Sequence, residues 1–65
     1  MRTYFIIKKT VKTNKHELLE TSQAKNGIIA RKDAVSKYLG KLDMTQEQLI
    51  VVGTGGFNKY YKNLL

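Results

Sequence analysis

The side chains that could do chemistry are few: one histidine, five acids and no cysteine in 65 residues. His16 beside Glu17 is half of an acid–base pair, yet no Ser or Asp stands at a spacing that would complete a nucleophile-and-base set. A lone His leaves almost no room for a His-based metal site. The expectation is therefore a chain that is no enzyme and needs no cofactor and no metal. Gly53-Thr54-Gly55-Gly56 has the composition of a phosphate-cradling loop, because backbone N–H groups reach an anion only where side chains are missing. No G-x-x-x-x-G-K-[ST] accompanies it, and a chain this short cannot hold a nucleotide-binding α/β sheet. A plain turn is the simpler reading, with positive φ at one or more of Gly53, Gly55 and Gly56. Tyr4-Phe5 and Tyr60-Tyr61-Lys62 could stack on bases. Aromatics in so small a domain more often close its core.

Charge is the stronger signal. The first fifteen residues hold Arg2, Lys8, Lys9, Lys12 and Lys15 with no acid, which is +5 of the formal net +7. Net charge speaks of partners and solubility rather than of topology. A one-signed basic segment around the apolar run Tyr4-Phe5-Ile6-Ile7 points to an anionic partner, and in a chain of this size to nucleic acid. The bland alternative is an edge strand that carries Lys to block aggregation.

Composition limits the rest. A domain of this length buries only ~60% of the surface its unfolded chain exposes. Without cysteine it has no disulfide staple. An apolar content of 42% suits one folded domain over 1–65 rather than a disordered tail. Apolar runs reach four residues, against about 20 for a membrane span, and the first of them runs into lysines rather than a cleavage site. A cytoplasmic protein that contacts no membrane is expected.

Several elements can position these residues. Residues 2–9 are rich in β-branched and aromatic types and predict a strand. Residues 16–27 fit a short helix or a second strand, closed by the turn dipeptide Asn26-Gly27. Ala34, Val35, Tyr38, Leu39 and Leu42 recur with a 3.6-residue period and predict a helix over 31–42. Lys32, Ser36, Lys37 and Lys41 then form its solvent face, Asp33 pairs with Lys37, and Gly40 ends it as a C′ residue. Thr45 and Gln48 have capping-box spacing for one helical turn. Leu49-Ile50-Val51-Val52 reads as a buried strand, and 57–65 as a closing strand or a short helix. A helix-turn-helix over 33–52 is a further alternative, opposed by that apolar run where a recognition helix needs polar residues.

From residue 29 onward the order of residues resembles a family. Ile29-Ala30-Arg31-Lys32-Asp33-Ala34-Val35-Ser36-Lys37-Tyr38-Leu39, then Gln48-Leu49-Ile50-Val51-Val52, then Gly55-Gly56-Phe57 to Tyr60-Tyr61, is similar to the archaeal and eukaryotic small-subunit ribosomal protein family S-twenty-four-e. The resemblance covers about half the chain. It implies an antiparallel sheet with a packed helix, and contact with structured RNA through basic loops.

Taken together the sequence predicts an α+β domain: an antiparallel sheet of three to four strands on one amphipathic helix, in a β-β-α-β-β-like order. Its core is expected to be Phe5, Ile7, Ala34, Val35, Tyr38, Leu39, Leu42, Leu49, Val51 and Phe57. The expected function is nucleic-acid binding, RNA favoured, through Arg2, Lys8, Lys9, Lys12, Lys15, Arg31, Lys32, Lys59 and Lys62, with phosphate contacts and little base readout. The rival is a small phage or mobile-element protein that binds and modulates a host protein, steered by charge to an acidic protein surface.

Overall fold

The computed structural model describes residues 1–43 and 45–65. It is an α+β fold built on three antiparallel strands. Strand β1 (Arg2–Thr10) pairs with β2 (Lys15–Ala24) on one side and with β3 (Glu47–Gly53) on the other, so the sheet order is β2-β1-β3. Helix α1 (Gly27–Tyr38) connects β2 to β3 and runs on into a 3-10 turn, Leu39–Lys41. After β3 the chain stays helical: α2 (Thr54–Gly56), a π-helical turn Phe57–Tyr61 and a 3-10 turn Lys62–Leu64. The open alternatives thus resolve to a strand within 16–27, ending at Ala24, and to helix over 57–64. The fourth strand is replaced by helix.

The apolar run of β1 is central because it is buried from both sides. Alternate residues of a strand face opposite ways. Tyr4 and Ile6 face α1, whereas Phe5 and Ile7 face the C-terminal helical segment. Ile6 and Ile7 are the largest fully buried side chains, at 1% and 0% exposure. Cross-strand register extends both faces: Val51 opposes Ile6 toward α1, while Ile50 opposes Ile7 and Val52 opposes Phe5 on the other side. Phe5 stacks on Phe57, with ring centroids 3.9 Å apart and planes 9° from parallel. The molecule is therefore three layers, helix on sheet on helical segment. The Cα extents of 33 × 27 × 14 Å agree, the shortest fitting a sheet only three strands wide.

Helix α1 sits on the sheet through small side chains. Ala30 and Ala34 are buried, and Ala30 joins Tyr4 and Ala24 in a cluster flanked by Val51. Without bulk between them, helix and sheet come close: a Cβ on Gly27 would lie 3.8 Å from the Tyr4 ring. The helix starts at Asn26, whose Oδ1 accepts the Ile29 amide at 3.0 Å, an N-cap that ranks among the best. Asn26-Gly27 is thus a helix start and not a hairpin turn.

The apolar face predicted for this helix is rotated. Leu39 is 51% exposed rather than core, and Val35 is half-buried. The true seat lies on the alanines, and Tyr4, Ile6, Ala24 and Ala30 belong to the core that the sequence reading lacked. Lys37 does not pair with Asp33. Its Nζ donates to both carboxylate oxygens of Glu20 on β2, at 3.0 and 2.9 Å, clamping α1 to the sheet edge.

Turns carry further corrections. Among the described residues the only non-glycine with positive φ is Asn14, at 54°, and no glycine has one. The left-handed position belongs to the hairpin between Thr10 and Lys15, where Asn is tolerated. Gly53 instead precedes a helical turn with φ −77° and ψ 176°, and Gly40 lies inside the 3-10 turn. The expected cap at Thr45 and Gln48 is displaced. Asp43 accepts the amide and hydroxyl of Thr45 at 3.1 and 2.6 Å, and the Asp43 amide donates to Glu47 Oε1 at 2.9 Å. Thr45 and Gln46 form a turn and Glu47 opens β3, so no second helix of a helix-turn-helix starts at Thr45. Met44, within that expected turn, lies outside the described residues.

Candidate polyanion-binding face

The strands sort the charges by face. Register places Glu17 opposite Lys8, Glu20 opposite Ile6 and Glu47 opposite Thr10, so all three sheet acids point to the α1 side. Asp33 lies on α1 itself and Asp43 in the loop before β3. The opposite face has no acid. Its strand positions read Thr3, Phe5, Ile7, Lys9 on β1 and His16, Leu18, Thr21, Gln23 on β2, and the segment covering it adds Lys59 and Lys62.

The nine candidate residues accordingly separate into three groups and a lone Arg2. Lys12 is exposed in the β1–β2 hairpin turn, and Lys9 lies one position in from the end of β1 on the acid-free face. Lys15, exposed at the start of β2, pairs with Thr10 and so projects from the hairpin end on the α1 side. His16 pairs with Lys9 across the ladder, and its ring lies 5.8 Å from that of Tyr61. Tyr61 thereby draws the last helical turn, with Lys62 next in the chain, toward the basic hairpin. Lys59 is one turn earlier, its Nζ 5.3 Å from the Tyr60 ring centroid. Lys9, Lys12, Lys15, Lys59 and Lys62 form the first group.

Lys8 is set apart. It points to the α1 side, 26% exposed, with Glu47 Oε2 at 3.3 Å and Glu17 Oε2 at 3.7 Å from its Nζ. Its charge is already matched, which removes it from a surface for anions. Arg31 and Lys32 make the third group, on the side of α1 turned away from the buried Ala30 and Ala34. Arg2 is exposed at the far end of β1, beside Gly53, Thr54 and Gly55. The basic N-terminal stretch is therefore not one surface. The sheet's alternation splits it, a step that linear charge counting misses.

The aromatic candidates divide as well. Tyr4 is buried at 7% exposure and Phe5 is held in its stack with Phe57, so neither can take a base. Tyr60 is 62% exposed. Tyr61 is half-buried against His16, whose Nδ1 is buried without a hydrogen-bond partner.

Ionisation shifts follow the acid-bearing side. The Lys37 ammonium, hydrogen-bonded to Glu20, holds that carboxyl below its ordinary value, and Glu20 in turn raises Lys37. The hydroxyl and amide of Thr45 hold Asp43 low. The Asp43 amide, then Lys8, do the same for Glu47. Among the described residues no three His, Cys, Asp or Glu side chains come together where a metal could sit. No helix among them is long and apolar enough to cross a membrane.

No protein-family model, no curated protein and no solved structure matches this chain.

Proposed function

We propose that this chain is a small cytoplasmic nucleic-acid-binding module without catalytic activity, and that single-stranded or loop RNA is its favoured ligand. The observation that carries the reading is the acid-free sheet face, with Lys9 on it, Lys59 and Lys62 on the segment above it, and Lys12 and Lys15 exposed at the adjoining hairpin end. Phosphates would meet lysine ammonium groups that no neighbouring carboxylate neutralises. Tyr60, being exposed beside Lys59, offers one ring for a base to stack on. Backbone contacts dominate such a surface, so sequence preference is weak. The reading rests on this surface rather than on the resemblance of residues 29–61 to the ribosomal family.

Fluorescence anisotropy with labelled single-stranded RNA tests it. Each phosphate contact adds ~0.7–0.9 to the fall of log K with log salt, so three or four contacts weaken binding roughly 20- to 150-fold between 50 and 200 mM. Replacing Lys9, Lys12 and Lys15 together by Gln removes most of that slope. Lys8→Gln leaves it unchanged, because Lys8 is already paired. Absence of affinity for RNA and DNA at low salt overturns the reading.

A further inference from the structure

Helix α1 has a second apolar stripe that the fold does not use. Ile28, Val35 and Leu39 lie at helical spacing, on the side roughly opposite the buried Ala30 and Ala34. Ile28 is 81% exposed and Leu39 51%. Together with Arg31, Lys32 and Ser36 they make one open face of the helix that runs to Gly40. A surface helix ordinarily turns one apolar stripe to the core and a polar face to water. Contiguous apolar side chains on a helix's outward face, rimmed by polar groups, mark an interaction surface.

We infer that this face docks an acidic amphipathic helix of another protein, its apolar residues on Ile28, Val35 and Leu39 and its carboxylates on Arg31 and Lys32. Charge selects that occupant. This face has two cations and no acid along its length, and the one acid of α1, Asp33, lies beside Glu20 and Lys37 over the sheet. A second copy docked through a twofold axis would bring both copies' Arg31 and Lys32 to the centre of the contact with no acid to meet them. Nucleic acid is disfavoured for a different reason. The stripe is aliphatic, and unstacked bases are held on aromatic rings. An amphipathic helix laid along Ile28, Val35 and Leu39, at i, i+7 and i+11, is the mode that fits.

The test uses a synthetic helical peptide of about 18 residues with Leu at alternating three- and four-residue spacing and Glu on both flanks. Two comparison peptides have Lys in place of Glu, or the Leu residues scrambled. The acidic peptide is expected to saturate and to shift backbone amide resonances within residues 28–40. Ile28→Glu and Leu39→Glu, both at exposed positions that leave the circular dichroism unchanged, should each weaken it roughly tenfold or more. RNA affinity should survive Ile28→Glu, and peptide affinity should survive the Lys9, Lys12 and Lys15 to Gln triple change, so the two surfaces fail separately. Equal binding of the basic peptide overturns the proposal. So does no binding of the acidic one, or a dimer in sedimentation that Leu39→Glu disperses.

Discussion

Replacing Phe57 by Ala should loosen the C-terminal helical segment more than any other single change in it. The Phe57 ring lies flat on Phe5 at 3.9 Å, over the same sheet face that buries Ile7 completely. Truncating a fully buried Phe costs about 3–5 kcal/mol. Phe57 is only half-buried, which brings the expected loss to ~1.5–2.5 kcal/mol. In a domain of this size each kcal/mol moves Tm by about 4–8 °C, so the melting point should fall by roughly 6–20 °C. Tyr60→Ala, at a position 62% exposed on the same segment, should change stability by less than ~0.5 kcal/mol. A double-mutant cycle with Phe5→Leu and Phe57→Leu isolates the ring pair. Offset or edge-on aromatic pairs contribute about 0.5–1.5 kcal/mol. A near-parallel pair this close sets two negative ring faces against each other, so the coupling should sit near the lower limit. Urea unfolding followed by circular dichroism reads both quantities. Equal losses for Phe57→Ala and Tyr60→Ala, or additivity within ~0.3 kcal/mol in the cycle, would refute this account of how the third layer is attached.

Other expectations follow from the two helix faces, the turns and the carboxylates. Ile6→Ala should cost about 2–5 kcal/mol and Leu39→Ala under ~1 kcal/mol, because one is buried beneath α1 and the other faces water; thermal melts of the two variants compare them directly. Asn14→Val should destabilise the hairpin by about 1 kcal/mol, since its φ of 54° suits Asn or Gly and not a β-branched residue, with Asn14→Gly as the tolerated control in the same melt. Gly55→Ala should raise Tm, because Gly55 is helical with open space at its Cβ and Ala is better in a helix by about 0.5–1 kcal/mol. Glu20, Asp43 and Glu47 have folded pKa values below their ordinary ones. Their contribution is therefore complete above the unfolded values and is lost as pH falls through the folded ones. Melting scans stepped from pH 6 down to 3 should show a decline that begins near pH 5, as the unfolded carboxylates start to protonate, and is shallower in Glu20→Gln.

The strand at 2–9 and the strand at 49–52 were legible because continuous β-branched runs flanked by charge have few other homes. The helix was legible from its period, but its inward face was not. Two apolar stripes coexist on α1, and hydrophobicity favours the larger residues, Val35 and Leu39. The sheet takes Ala34, which that period included, together with Ala30, which it did not, since only small side chains let the helix approach Tyr4 and Val51. The glycines misled for a related reason. Of the four residues of turn composition, Gly53 ends β3 and Thr54-Gly55-Gly56 became helical because Phe57 is held against Phe5, a tertiary contact that outweighs weak local preference. The basic segment was visible as charge, yet its division into Lys8 on one side and Lys9 on the other depends on strand register. So does the gathering of every sheet acid on the α1 side.

The central place of β1 has a consequence for how the chain reaches this fold. The hairpin of β1 with β2 closes locally around Asn14, which is quick. The ladder of β1 with β3 must bring Ile7 to Ile50 across most of the chain, a closure that costs more entropy and comes later. The first strand therefore pairs with β2 before its second partner is in place. Until β3 and the helical segment arrive, Ile7 has no cover and one whole edge of β1 has no hydrogen-bonding partner. That interval is when misassembly is most probable. The charges of Lys8 and Lys9, side by side on the waiting strand, then act as guards against pairing with the wrong chain.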